Sequence, residues 1–272
     1  MKRFLAMLPL FALAACSSPP GVEEVETWRG QQRLDTPREP LATVAALDSL
    51  RAGAPSRATL AQARQAAVDL AETGEDPEAL WRAARAEADL VALLQADGAP
   101  REERDLASAS GLDWVERARE AAGEAPSPAL LGQLAWSLGG VTHLQPMFDR
   151  DDWAVKVQFA AEAALAADPG ELAAQATLAT LHLRLATLPW IAKLFASGAP
   201  EADLALAERL ARACHEARPS LEHALLLAKV LAAREQEAKA KALLQEAVAR
   251  PDRFPRDPAL RPGAEALLES WD

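Results

Sequence analysis

Residues 76–86, Asp-Pro-Glu-Ala-Leu-Trp-Arg-Ala-Ala-Arg-Ala, contain the pattern that decides the fold of this chain. Asp76 is a favoured helix-capping residue, and Pro77 suits the first turn of a helix, where its missing N–H is not needed. Leu80 is followed at helical spacing by two alanines. Because a small side chain beside a large one lets antiparallel helices approach closely, the segment predicts a helix packed tightly against a neighbour.

The same punctuation recurs along the chain and predicts a series of helix pairs. Prolines that follow helix-ending segments are Pro40, Pro77, Pro128, Pro169 and Pro219, and three of them follow a cap residue, namely Asp76, Ser127 and Asp168. We predict about five helix pairs and a C-terminal capping helix, with bounds at 41–74, 77–122, 128–167, 169–217, 219–250 and 258–271. Because no useful stretch alternates with a period of two, the chain is predicted to be all-α.

The run that ends in Asp168-Pro169 resembles a tetratricopeptide repeat. Ala161, Ala164 and Leu165 have the spacing of that repeat's second helix, and the proline ends the unit. The predicted units are longer than the usual repeat of about 34 residues. We expect most of the excess between the two helices of three pairs, at 95–105, 139–152 and 188–200. The predicted fold is therefore a tetratricopeptide-like helical-repeat solenoid.

Four segments are similar to the regulator of microtubule dynamics family, and the resemblance spans roughly residues 77 to 271. They are 76–86, 155–169, 183–197 and 246–258, and the most distinctive is the insertion around Leu188-Pro189-Trp190. The resemblance implies a tetratricopeptide-like fold and, in animal members, association with microtubules. We carry over the fold and not the partner, because the N-terminus predicts export from the cytoplasm.

The N-terminus predicts a lipoprotein. Lys2 and Arg3 precede an uncharged apolar run at 4–15, too short to span a bilayer, which takes about 20 residues. The run ends in Leu13-Ala14-Ala15-Cys16, which resembles a bacterial lipobox. This implies cleavage before Cys16, a diacylglyceryl thioether on its sulfur and acyl chains such as palmitate; an ordinary signal peptide is the alternative. Ser17, rather than an aspartate, favours the outer membrane, facing the periplasm.

Composition and charge divide the chain into three parts. We expect a signal peptide at 1–15, a lipidated cysteine with a flexible tether at 16–40, because this stretch is polar and broken by Pro37, and the repeat domain at 41–272. The formal net charge is −11, and loss of the signal peptide makes it more negative. Such a polyanion is a poor candidate for binding nucleic acid.

No catalytic or metal constellation emerges from the residue patterns. His215 and His223, with two glutamates nearby, have a spacing that zinc tolerates, but a junction between helices explains them better. Cys214 is expected to be a buried, unreactive thiol. Charge runs such as 101–104 are interpreted as solvated helix faces. We predict no metal, no cofactor and no enzymatic activity.

The leading functional hypothesis is a non-catalytic, membrane-anchored scaffold that binds an unknown protein partner through its concave face or its insertions. The alternative is an accessory ligand-binding lipoprotein of a tripartite periplasmic transporter. Aromatic side chains that could contact a partner or ligand are Trp153, Trp190 and Phe195, with Trp136 and Phe148 as further candidates.

The insertion at 188–200 admits two structural interpretations. Leu188-Pro189-Trp190 breaks the helix, and Ile191, Leu194 and Phe195 then form an apolar stripe at helical spacing. The stripe either braces the solenoid or forms an exposed patch that a partner covers. We expect the brace.

Overall fold

Helices make up all the regular secondary structure in the part of the chain that the computed structural model describes, residues 19–32, 43–53, 56–193 and 198–271. The helices are α1 Val22–Gln31, α2 Val44–Ala52, α3 Arg57–Glu72, α4 Pro77–Ala96, α5 Arg101–Ala122, α6 Pro128–Val141, α7 Arg150–Ala167, α8 Leu172–Thr187, α9 Trp190–Lys193, α10 Leu204–Ala217, α11 Leu221–Ala233, α12 Glu237–Ala249 and α13 Asp257–Glu269. Successive helices pack in pairs, which confirms the predicted all-α repeat solenoid.

The predicted caps form at two of the three positions. Asp76 accepts a hydrogen bond from the backbone N–H of Glu78 at 3.0 Å, and Ser127 accepts one from Leu130 at 3.3 Å. The prediction that Asp168 caps the next helix is wrong. Asp168 ends α7, and its carboxylate accepts a hydrogen bond from the backbone N–H of Gly170 in the turn. Glu171 caps α8 instead, accepting a bond from Ala174 at 2.6 Å.

Small residues let the paired helices approach closely, as the opening pattern predicts. Ala83 and Ala84 of α4 are fully buried. A Cβ added at Gly111 of α5 would lie 3.4 Å from the Ala84 carbonyl oxygen and 3.4 Å from the Glu87 Cβ. Even an alanine side chain at position 111 would therefore reach the limit of ordinary van der Waals contact with α4, so the two helices are closely packed here.

The extra length of the repeats is distributed differently from the prediction. No long loop occupies 95–105, because α4 and α5 are themselves long, with 20 and 22 residues, and turn at 97–100. The second segment in which extra length was expected, 139–152, contains a short 3-10 helix, Thr142–Leu144, before α7 begins. The third contains α9.

The solenoid curves until its C-terminal end meets the second helix pair. Helix α13 packs on α11 and α12 and also on α4. Its Ala259 is buried in one cluster with Leu60, Ala92 and Leu93. The last helix therefore bridges two distant parts of the superhelix as well as capping its end.

Part of the expected tether is folded. In α1, Val25 and Trp28 are buried against Leu106 and Ala107 of α5. Arg29 donates hydrogen bonds to the Ser110 hydroxyl at 2.6 Å and to Asp113 at 2.8 Å. The flexible-tether prediction is wrong for 22–31, because two apolar side chains one helical turn apart dock this polar helix.

The signal peptide at 1–15, Cys16 and the expected domain boundary at 40 and 41 lie outside the described residues. Among the helices that the structure describes, none combines the length and apolar character needed to cross a membrane.

Candidate binding groove

A groove of about 600 Å³ runs along the inner side of the solenoid. Its walls come from α4, α5, α6, α7 and α8, with Arg256, just before α13, on the far side. Leu188 and Ala199, at the two ends of the third insertion, border it as well. A concave surface built from several repeats is where solenoid proteins generally bind their partners.

Small side chains leave the space that the groove occupies. They are Ala84, Ala88, Ala107, Gly111, Gly139, Gly140 and Ala154. The small side chains that let the helices approach closely therefore also create a recess where the superhelix curves. Larger apolar groups, among them Val91, Val157 and Leu181, line part of the wall.

The groove is positively charged although the chain is acidic. Five arginines line it, Arg101, Arg104, Arg150, Arg184 and Arg256, together with His143. Against them stand two lining carboxylates, Asp105 and Asp151. In a chain with a formal net charge of −11, such a concentration of arginine favours an anionic partner.

Three of the five arginines are paired within the protein. Arg101 lies 3.3 Å from Asp105, which also contacts His143 at 2.8 Å. Arg150 donates to the carbonyl oxygens of Gln145 at 3.1 Å and His143 at 3.0 Å. Arg256 forms ion pairs with Glu222 of α11 and Asp89 of α4.

Arg104 and Arg184 have no carboxylate partner among the described residues. The Nε of Arg104 is buried and has no hydrogen-bond partner. The Arg184 guanidinium reaches only the Gly139 carbonyl oxygen, at 3.5 Å. Desolvation by the surrounding protein lowers the Arg184 pKa. Arg184 is nevertheless an exposed residue. An anion bound in the groove would accept charge-assisted hydrogen bonds from both guanidinium groups.

Lys229 of α11 is an exposed cation close to Arg184, but it does not line the groove. Desolvation lowers the pKa of Lys229, and the positive charge of nearby Arg184 lowers it further. The two cations therefore repel one another.

Among the aromatic candidates, the groove contains Trp136. Arg256 lies over its ring, 5.1 Å from the centroid. Trp153 is half-buried against the core outside the groove, and Phe148 is exposed. Trp190 is 75 % exposed, so its side chain does not brace the solenoid. Phe195 and Leu194 lie outside the described residues, and the stripe they were expected to form is untested.

The histidines and the cysteine have structural surroundings. His182 is buried, and its Nδ1 accepts a hydrogen bond from the backbone of Asp203 at 3.2 Å. His223 contacts the Arg218 carbonyl oxygen at 2.9 Å. Cys214 is buried as predicted, and burial raises the pKa of its thiol to about 12. No three His, Cys, Asp or Glu side chains of the described chain converge as metal ligands would.

Sequence reasoning missed the two arginines that define the groove. It interpreted the charge run at 101–104 as a solvated helix face, and it did not single out Arg184. No local signal distinguishes Arg104 from an ordinary surface arginine, because its functional neighbours come from helices far away in the sequence.

A comparison with protein families identifies the fold. The family model described as regulator of microtubule dynamics protein 1-3 matches residues 44–272, which include every helix from α2 to α13. No curated protein matches the chain. The resemblance found in the sequence is thereby confirmed, and the chain belongs to the regulator of microtubule dynamics protein 1-3 family.

Proposed function

We propose that this protein is a lipid-anchored, non-catalytic scaffold whose groove binds an acidic segment of a partner polypeptide. The observation that carries the proposal is the presence of Arg104 and Arg184, without carboxylate partners, in a concave groove of an otherwise acidic protein. Charge-assisted hydrogen bonds to carboxylates are the interactions that such arginines are suited to make.

A polypeptide matches the form of the groove. Five helices contribute to its walls, and the lining combines apolar groups with arginines. An extended segment can place acidic side chains on the arginines and apolar ones on Val91, Val157 and Leu181. Family membership supports a binding scaffold and gives no support to the accessory lipoprotein of a tripartite transporter.

The anchor is the second part of the proposal. The lipobox-like Leu13-Ala14-Ala15-Cys16 supports acylation of Cys16, attachment to the outer membrane and exposure to the periplasm. Export separates the chain from cytoplasmic microtubules, so we do not propose the partner that the family description names.

Site-specific crosslinking in intact cells tests the groove. A photoreactive amino acid at Thr180, which lines the groove, is expected to crosslink a partner, and the captured peptide is expected to be net acidic. The double variant Arg104→Ala/Arg184→Ala removes two charged contacts worth about 1.5–3 kcal/mol each, so the yield should fall more than tenfold. The matched control, Arg119→Ala/Arg212→Ala, removes two exposed arginines outside the groove. Equal yields from both double variants would contradict the proposal.

Fractionation tests the anchor separately. Cys16→Ser should release the protein from the membrane fraction or leave it unprocessed. If this variant is processed normally and stays with the membrane, Cys16 does not carry the anchor.

A further inference from the structure

Large apolar side chains are exposed around the N-terminal end of the described chain. Val22 in the first turn of α1 is 71 % exposed, and Phe148, in the turn before α7, is 75 % exposed. Val155 and Phe159 of α7 are 47 % and 75 % exposed. They are four positions apart, so they share one face of this helix. Exposed aromatic and branched side chains in this number indicate a contact surface.

A shallow hollow connects these elements. Its walls include Pro19, Pro20 and Val22 from the start of the chain, and Gln145 and Trp153 from either side of the turn that contains Phe148. The beginning of the described chain therefore lies near the start of α7. Docking of Trp28 and Arg29 on α5 fixes this arrangement.

The predicted lipid attachment site must be close to this surface. Only two residues stand between Cys16 and Pro19, and three residue steps span at most about 11 Å. Because α1 is docked, no long tether separates the acyl chains from the folded body. A lipid anchored at Cys16 would hold the adjacent surface at the level of the bilayer interface.

We propose that Val22, Phe148, Val155 and Phe159 form a membrane-contact surface that inserts its side chains into the bilayer interface beside Cys16. The proposal rests on the anchoring proposed above. Contact with lipid is apolar in kind, because Glu23, Glu24 and Glu26 are exposed on α1 and disfavour an electrostatic attraction to anionic headgroups. Insertion of this kind is driven by burial of apolar surface.

This contact would orient the groove. Ala154 and Val157 line the groove, whereas Val155 and Phe159 lie on the outer face of the same helix. With the outer face on the bilayer, the groove opens away from the membrane, where a partner can reach it.

Labelling of single cysteines in the mature lipidated protein, reconstituted into phosphatidylcholine vesicles, tests this surface. Phe148→Cys and Phe159→Cys would each carry an environment-sensitive fluorophore, and Ala242→Cys, exposed on α12, is the control. We expect emission at positions 148 and 159 to shift to shorter wavelength and to be quenched by nitroxide-labelled lipid. The control should show neither effect. Unshifted, unquenched emission at both positions on vesicle-bound protein would overturn the membrane surface.

Two further variants keep the outcome clear. A label at Val155→Cys should lose its quenching when Phe148→Ser and Phe159→Ser are added, which excludes insertion driven by the fluorophore itself. If position 159 is shielded only when a partner protein is added, the surface is a protein interface and the proposal is wrong.

The parent protein reports on the anchor, because Cys214 is buried and an acylated Cys16 cannot react. Labelling of the parent at Cys16 would therefore disprove the anchor and leave the surface a separate question.

Discussion

The Nε of Arg256 lies 3.7 Å from the Oδ1 of Asp89, joining the segment before the last helix to the second helix pair. Asp89 is buried and also accepts two hydrogen bonds from Arg51 of α2, at 2.7 and 3.0 Å. One carboxylate therefore connects three parts of the superhelix, and one of the two arginines it contacts lines the groove.

The first prediction concerns this connection. Asp89→Asn leaves Arg51 and Arg256 close to one another without their shared carboxylate, and breaking a buried pair of this kind costs about 3–5 kcal/mol. Urea unfolding should show this decrease in the free energy of unfolding. The control is Asp97→Asn, because Asp97 pairs with Arg57 on the surface and such pairs contribute about 0–1 kcal/mol. Equal losses in the two variants would mean that the connection does not stabilise the fold.

The second prediction concerns the docking of α1. Trp28→Ala removes a buried side chain that packs on α5, so amide hydrogens at 22–31 should exchange faster while those of α6 keep their protection. Val22→Ala, at an exposed position of the same helix, should leave exchange unchanged. Slow exchange in Trp28→Ala would show that other contacts dock the helix.

The third prediction separates two tryptophans by burial. Trp114 is 1 % exposed, so Trp114→Ala should lower the free energy of unfolding by about 3–5 kcal/mol. Trp190 is exposed, so Trp190→Ala should change it by less than about 0.5 kcal/mol. Chemical denaturation of the two variants beside the parent measures both values. A large loss on Trp190→Ala would restore the brace interpretation of the insertion.

The fourth prediction concerns the Cys214 thiol. Burial raises its pKa to about 12, so almost no thiolate forms at pH 8 and the group should resist alkylation in the folded protein. Iodoacetamide treatment of the Cys16→Ser variant, followed by mass spectrometry, counts the modified thiols. Urea-unfolded protein, in which Cys214 is accessible, should react completely. Rapid reaction of the folded protein would mean that α10 opens locally.

The fifth prediction concerns the pH dependence of stability at His215. Desolvation lowers its pKa below the ordinary 6.5, and the nearby positive charge of Arg250 lowers it further. The folded protein therefore favours the neutral imidazole. The stability that His215 contributes is complete at pH values above its pKa in the unfolded chain, and it is lost as the pH falls from that value toward the lower pKa in the folded protein. His215→Gln should flatten the decline in stability between about pH 7.5 and 5.5. Parallel declines in parent and variant would exclude a role for His215.

Local rules were sufficient for the starts of two helices. A cap residue, a proline in the first turn and large and small apolar residues at helical spacing place the start of α4 at Pro77 and that of α6 at Pro128. These features act within one or two turns, so their physical effects are present in the sequence itself. The same locality explains the error at Asp168, since its carboxylate can accept from a turn as readily as from a helix.

The repeat architecture, the family and the burial of Cys214 could all be predicted from sequence patterns. Three features could not be predicted in this way: α13 returns to α4, Trp28 docks α1, and Arg104 and Arg184 line one groove without carboxylate partners among the described residues. The physical reason is that helix formation depends on neighbouring residues. A groove's charge depends instead on which side chains are brought together from several packed helix pairs, such as Arg104 of α5 and Arg184 of α8.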